Sequence, residues 1–143
     1  MSLLQASEFA LNLPDGLKDR TVNILSIAEE GPSDFNIVVT RERPQAGEAL
    51  DRFAERMQAA LLSRLPLFQV LRREVIRVDN QPATLLDYTW QSPEGRMFQR
   101  QVILHARGPN LMLVFTGTCR DKLASRWEAM FNELLAGLRL RAP

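Results

Sequence analysis

The sequence predicts an α+β domain in which helices flank an antiparallel β-sheet. Two segments repeat apolar residues with the period of a helix, and four consecutive strand-like runs lie between them. The links between these runs are too short for a parallel crossover, so the strands must form an antiparallel meander. The resulting order is strands, a helix, four strands and a second helix, which is typical of an α+β fold.

The first helix is predicted from Gly47 to Leu65 and ends before Pro66. The second is predicted over 121–136, with Thr118 and Asp121 resembling a capping box and Gly137 as the stop. The apolar positions that repeat are Leu50, Phe53, Ala54, Met57 and Leu61 in the first helix, and Leu123, Trp127, Met130, Phe131, Leu134, Leu135 and Leu138 in the second.

Turn-forming residues separate the strand-like runs. The four runs of the meander are Phe68–Val78, Ala83–Gln91, Arg96–Ala106 and Leu111–Thr118. The turns between them are 79–82, 92–95 and 107–110. Three shorter strands are predicted earlier, at Glu8–Leu13, Thr21–Ile27 and Phe35–Arg41.

Length and composition indicate one ordinary globular domain, 1–143. Apolar residues make up 45% of the chain and charged residues 24%, so disorder is not expected. The net charge is +1 and the arginines are scattered among carboxylates, which argues against a nucleic-acid-binding face. Residues 1–13 lack the features of a signal peptide, and no apolar run approaches the ~20 residues that span a bilayer. A cytoplasmic protein is therefore expected.

No residue pattern predicts catalysis, a metal site or a cofactor. His105 is the single histidine, and no nucleophile motif accompanies it. Cys119 is the single cysteine and is interpreted as a small, half-buried residue. Asp87 lies in the middle of a strand, so it must face water or find a partner, and Arg100 on the next strand is the expected one. A structural ion pair is favoured over an acid–base role, and the chain is not expected to be an enzyme.

Alternation along the strands separates two sheet faces. One face is uniformly large and apolar and is the predicted core under the helices: Leu25, Ile27, Phe35, Ile37 and Val39. The other mixes aliphatic with small polar residues: Val22, Ile24, Asn36, Val38 and Thr40, with Met97, Gln99 and Gln101 forming a similar row later in the chain. This second face is either a moderately polar outer surface or, if concave, a site for a hydrophobic ligand that also presents hydrogen-bonding groups.

The order and spacing of several strand motifs resemble the DcrB-like family, and within it the effector-associated (Eag) chaperones of bacterial type VI secretion. The motifs are Leu13-Pro14-Asp15-Gly16, Val22-Asn23-Ile24, Leu65-Pro66-x-Phe68, Leu86-Asp87-Tyr88-Thr89-Trp90 and Arg100-Gln101-Val102. The resemblance covers essentially the whole chain and implies a fold similar to the Mog1/PsbP type. The exported, lipid-anchored DcrB branch carries a leader that is not expected here, which favours the cytoplasmic branch.

The resemblance also implies a partner. Such chaperones are symmetric homodimers that clasp the N-terminal transmembrane regions of PAAR-containing, often Rhs-type, effectors before export. The client-binding residues that it implies here are Val22, Ile24, Val38, Leu61, Leu65 and Met97 as apolar contacts, and Asn36, Thr40 and Gln101 as hydrogen-bonding groups. Met57, with Gln58 beside it, stands where a polar helix residue is expected. The alternative function is a small-molecule carrier or enzyme that holds an apolar ligand on the sheet face.

Overall fold

The computed structural model describes residues 2–107 and 110–142 of the chain. Within these ranges the backbone forms eight strands and two helices. In chain order they are β1 (Ser2–Gln5), β2 (Ala10–Leu13), β3 (Asn23–Ser26), β4 (Phe35–Glu42), α1 (Leu50–Arg64), β5 (Gln69–Val78), β6 (Gln81–Ser92), β7 (Gly95–His105), β8 (Met112–Arg120) and α2 (Ser125–Gly137). The predicted α+β class is confirmed, and β1 is an element that the sequence did not predict.

Six strands form the main sheet in the order β3-β4-β8-β7-β6-β5, and every neighbouring pair is antiparallel. The predicted meander is therefore present, with β4 adding to its last strand. Asp79 and Asn80 close the β5–β6 hairpin, and both have the positive φ that a two-residue turn of this hand needs. The predicted turn at 107–110 includes residues 108–109, which lie outside the described ranges. Strands β1 and β2 form a separate two-stranded hairpin.

The larger core lies between the sheet and α2. Phe35, Ile37 and Val39 of β4 face it, and Phe131 of α2 is almost fully buried against them. A Cβ added at Gly117 of β8 would lie 2.9 Å from ring carbons of Phe131, so glycine allows this close approach of helix and sheet. The predicted core face is correct for β4.

Helix α1 packs on the opposite face of the sheet, which corrects the prediction that both helices cover the Phe35 face. Its side chains enter two smaller clusters that are separate from the α2 core. Phe53 and Ala54 pack with Ile103, Met112 and Val114. Leu61 packs with Leu86 and Tyr88, and Leu65, Phe68 and Trp90 lie against that cluster. The helix ends at Arg64, before Pro66 as predicted.

The start of α2 is later than the sequence predicts. Strand β8 continues through Arg120 and Asp121 adopts a positive φ of 60°, so the helix begins only at Ser125. Thr118 is therefore a strand residue and the predicted capping box is wrong; Ala124 occupies the N-cap without a side-chain hydrogen bond. Gly137 is the last residue of the helix.

The core prediction is also wrong for the segment around β3. Leu25 lies opposite Ile37 in the register, yet it is 45% exposed and Ile27 is 44% exposed. The reason is position, because β3 is an edge strand of four residues that pairs with β4 alone. Alternation assigns the face of each residue but cannot show whether another layer covers that face.

An ion triad, in which Arg100 and Asp87 are buried and Glu128 is partly exposed, joins the sheet to α2. Arg100 donates to both oxygens of Asp87 at 2.7 and 2.8 Å, and its Nη2 also donates to Glu128 Oε2 of α2 at 2.9 Å. Arg100 and Asp87 face each other in the β6–β7 register, and both side chains are under 10% exposed. The hydrogen bond to Asp87 raises the pKa of Arg100. The predicted Asp87–Arg100 pair is confirmed, and Glu128 is a partner that the sequence did not reveal.

Candidate functional site

A half-open groove of about 300 Å³ separates α1 from the sheet, and we call it the α1 groove. Helix α1 and the following Leu65 form its wall, which is apolar except for Arg64, and strands β4, β8, β7 and β6 form its floor. The wall residues are Met57, Ala60, Leu61, Arg64 and Leu65; the floor residues are Thr40, Glu42, Val114, Thr116, Gln101, Gln99, Tyr88 and Trp90. The surface therefore combines apolar side chains with amide and hydroxyl groups in the floor and two charges of opposite sign.

The strand register places the implied client-binding residues of the sheet on one face. Ile24 lies opposite Val38, Val38 opposite Thr116, and Thr116 opposite Gln101. These four side chains form one row across β3, β4, β8 and β7 that runs from the exposed edge into the α1 groove. Asn36, Thr40 and Met97 have the same strand parity and share this face.

The groove itself contains only part of the implied site. Thr40, Leu61, Leu65 and Gln101 line it. Ile24 and Asn36 instead line a shallow hollow beside the β3–β4 loop. Val38 is half-buried in the row between the hollow and the groove.

Two implied residues are less well placed. Val22 precedes β3, is 48% exposed and lines a second hollow, together with Thr40. Met97 is half-buried opposite Trp90, and it is not among the groove-lining residues.

The two glutamine side chains of the floor differ in whether a hydrogen bond within the protein engages them. Gln99 donates from Nε2 to Thr118 Oγ1 at 3.0 Å, so its amide is held toward β8. Gln101 is only 8% exposed and lines the groove, where it forms no side-chain hydrogen bond with the described residues. Gln101 is thus the amide that remains available to a ligand.

Helix α1 presents Met57, not an amide, to the groove. The neighbouring Gln58 accepts a hydrogen bond from Arg73 of β5 at 3.1 Å. The side-chain oxygen of Gln58 is therefore bound to Arg73 on the edge strand β5. The wall of the groove therefore relies on apolar contact, and its hydrogen-bonding capacity lies in the floor.

Sequence reasoning missed the part of the floor that β6 supplies. Tyr88 and Trp90 lie on the groove face, and burial raises the pKa of the Tyr88 phenol, which stays protonated. Their parity with Leu86, which lies opposite Gln101, was the available signal. Arg64 and Glu42 were missed because nothing in a single sequence relates a helix end to the end of a distant strand.

His105 and Cys119 lie away from the groove lining. His105 is the last residue of β7, and Cys119 faces the α2 core, where its Sγ donates to Lys122 O at 3.4 Å. Burial raises the pKa of the Cys119 thiol, which disfavours the reactive thiolate. In the described ranges, no group of three or more His, Cys, Asp or Glu side chains is placed to hold a metal ion, and neither helix is long and apolar enough to cross a membrane.

The family model described as DcrB matches residues 8–137 of this chain. The chain belongs to the DcrB family. The predicted resemblance is thereby confirmed over nearly the whole sequence, including both helices and every strand from β2 onward.

A relative of this DcrB-family protein supports the narrower resemblance to the Eag group. The chain is 29% identical over 122 residues to the Pseudomonas aeruginosa PAO1 protein named Effector EagT6. The aligned region covers 85% of each protein.

Solved structures confirm the PsbP-like fold. PA94 from Pseudomonas aeruginosa, a protein of unknown function, superposes with a TM-score of 0.83 and 26% identity over 100% of this chain and 99% of its own. LpqN of Mycobacterium tuberculosis gives 0.54 at 15% identity, covering 93% and 82% of the two chains. The PsbP protein of Synechocystis sp. PCC 6803 gives 0.50 at 11% identity, covering 94% and 88%. The last two similarities show the fold alone.

Proposed function

We propose that this DcrB-family protein is a type VI secretion chaperone that binds the hydrophobic N-terminal transmembrane segments of a PAAR/Rhs-type effector until loading and export. The observation that carries the proposal is the α1 groove, whose apolar wall faces a floor of amide and hydroxyl groups. The sequence similarity of this chain to the protein named Effector EagT6 supports an effector as the partner that binds in the groove.

The chemistry of the groove suits a membrane-spanning helix in water. Such a helix displays ~20 apolar residues that would otherwise aggregate. Met57, Leu61 and Leu65 offer it apolar contact, while Gln101 and Thr116 offer the kind of hydrogen bond that polar residues make between helices in a membrane. Covering ~1,000 Å² of helix would yield about 25 kcal/mol before association and ordering costs offset most of it.

A homodimer would complete the site. A helix with its side chains is ~10–12 Å across, so one groove covers only one side of it. The hairpin of β1 and β2 leaves Leu3 and Phe9 more than half exposed. These apolar surfaces support a second copy as partner. We expect light scattering to give twice the 16.3 kDa chain mass, and a monomer at all concentrations would contradict the clasp.

The proposal is of a cytoplasmic holdase without catalysis or cofactor. The client leaves when the membrane or the secretion apparatus binds it better, so no nucleotide is required. His105→Ala and Cys119→Ser should both leave client stabilisation intact, because neither side chain lines the groove. Loss of client stabilisation with an intact fold would instead favour an enzyme.

Co-purification tests the proposal directly. The chain is co-expressed with the N-terminal region of a candidate PAAR/Rhs-type effector from the same genome, with and without the transmembrane segments. We expect a stable complex only when those segments are present. Binding that persists after their deletion would show that the protein recognises another part of the effector.

The alternative of an apolar small-molecule carrier draws on one observation. A volume of about 300 Å³ is at the lower limit of small-ligand sites. The groove is half open, however, which suits a client that extends beyond it better than an enclosed metabolite. Native mass spectrometry of the purified protein would detect a retained small ligand.

A further inference from the structure

Trp90 lines the floor of the α1 groove, and its side chain carries a buried polar atom without a partner. Within the described part of the chain, its indole Nε1 is the one buried side-chain nitrogen or oxygen that lacks a hydrogen-bond partner. The indole N–H can only donate, so an oxygen acceptor is what it lacks. Nearly all buried polar groups in proteins are paired, and an exception therefore calls for an explanation.

The neighbouring groove residues do not supply the acceptor. Gln99, diagonal to Trp90 across β6 and β7, directs its amide to Thr118 of β8. Arg64 at the end of α1 carries donors only. Leu61 and Leu65 lie in the same cluster as Trp90 and contribute apolar surface. The indole N–H therefore has no acceptor among the described residues of the protein.

We infer that Trp90 Nε1 is a hydrogen-bond donor to the bound client, so the groove selects apolar helices that carry an acceptor oxygen. Such an oxygen belongs to an Asn or Gln amide, a Ser or Thr hydroxyl, or a free backbone carbonyl. The inference rests on the proposed function and adds a specificity-determining residue to it. A purely apolar helix would leave the N–H unpaired in the complex, whereas a helix with one such group would satisfy it.

The experiment compares two synthetic helical peptides, one of twenty Leu and Ala residues with lysine ends, and the same peptide with a central Asn. Wild-type protein should bind the Asn peptide about five- to tenfold more tightly, the increment of one net hydrogen bond. Trp90→Phe keeps an aromatic ring and removes the N–H, so its preference for the Asn peptide should fall by this five- to tenfold increment. Removing the unpaired donor offsets part of the packing lost with the smaller ring, so the unliganded melting temperature should fall by only a few degrees.

Trp127→Phe is the matched control, since Trp127 stacks on Phe35 at 5.4 Å on the α2 side of the sheet and should not affect the discrimination. In nitrogen-15 spectra, the indole proton signal that disappears in Trp90→Phe should move further downfield with the Asn peptide than with the apolar one, because only the Asn peptide gives the N–H an acceptor. Equal discrimination by wild type and Trp90→Phe would overturn the inference alone. If neither peptide binds the wild type, the proposed function fails and the inference fails with it.

Discussion

Aspartate substitutions at Ile24 and Ile37 should separate client binding from folding. The two residues lie on opposite faces of adjacent strands, since Ile24 pairs with Val38 and Ile37 with Leu25. Ile24 is 67% exposed and Ile37 is 3% exposed. An aspartate at position 37 would therefore be introduced into the α2 core, whereas one at position 24 would remain in water until a client covers it.

The magnitudes follow from this burial. Ile37→Asp loses about 1.5–3 kcal/mol of apolar burial and places a carboxylate where it costs several kcal/mol more. A total of about 4–5 kcal/mol is a large part of the ~5–15 kcal/mol that stabilises a typical domain, so melting should fall by more than about 10 °C or folding should fail. Ile24→Asp loses under about 1 kcal/mol, yet its carboxylate would be buried against an apolar helix in the complex. Val38→Asp, in the same row, should resemble Ile24→Asp.

The assay pairs thermal melts by circular dichroism with co-purification of the client. Val75→Asp is the matched control, because Val75 is a 73% exposed aliphatic residue on the opposite edge strand and should affect neither measurement. Retained client binding by Ile24→Asp and Val38→Asp would refute the proposed site. Unfolding by Val38→Asp together with a silent Ile37→Asp would show that the two faces are inverted.

Three further substitutions test the forces within the fold. Arg100→Met should cost about 3–5 kcal/mol in urea unfolding because it leaves the buried Asp87 carboxylate unpaired, and Asp87→Leu in the same chain should restore much of that loss; no restoration would argue against the pair as the cause. The Arg56 hydrogen bond lowers the pKa of Glu48 to about 2, so it stabilises the fold above the ordinary pKa of 4.5. Glu48→Gln should therefore melt below wild type at pH 7, with the gap closing between about pH 4.5 and 2, and a gap constant with pH would contradict this. Gly117→Ala should cost about 1–3 kcal/mol through its clash with Phe131, and a neutral effect would show that the ring can move aside.

The sheet could be predicted in detail because its signals are local. Short turns required antiparallel pairing, and alternation assigned Phe35, Ile37 and Val39 to one face and Asn36, Val38 and Thr40 to the other. The Asp87–Arg100 pair could be predicted because both residues belong to one hairpin and a mid-strand carboxylate needs a partner.

The layers could not be predicted, because periodicity shows that a helix has an apolar side but not which sheet face it covers. Assigning α1 to the wrong face hid Tyr88 and Trp90 from the candidate site. Leu25 was misplaced for a related reason, since only the strand order shows that β3 lies at an edge. The contact of Glu128 with Arg100 could not be predicted, because Glu128 lies on α2 and the start of α2 depends on how far β8 extends.

The two helices pack into separate clusters, so the two faces of the sheet can change in sequence independently. The side chains of α1 enter two clusters on one face, while the largest core is built with α2 on the other. Groove-facing positions such as Met57, Ala60 and Leu65 can therefore vary in size and polarity without disturbing the Phe35–Phe131 core that gives the sheet its support. On the proposed function, specificity for a new hydrophobic segment can arise from substitutions in α1 and at its C-cap, while the α2 core stays the same.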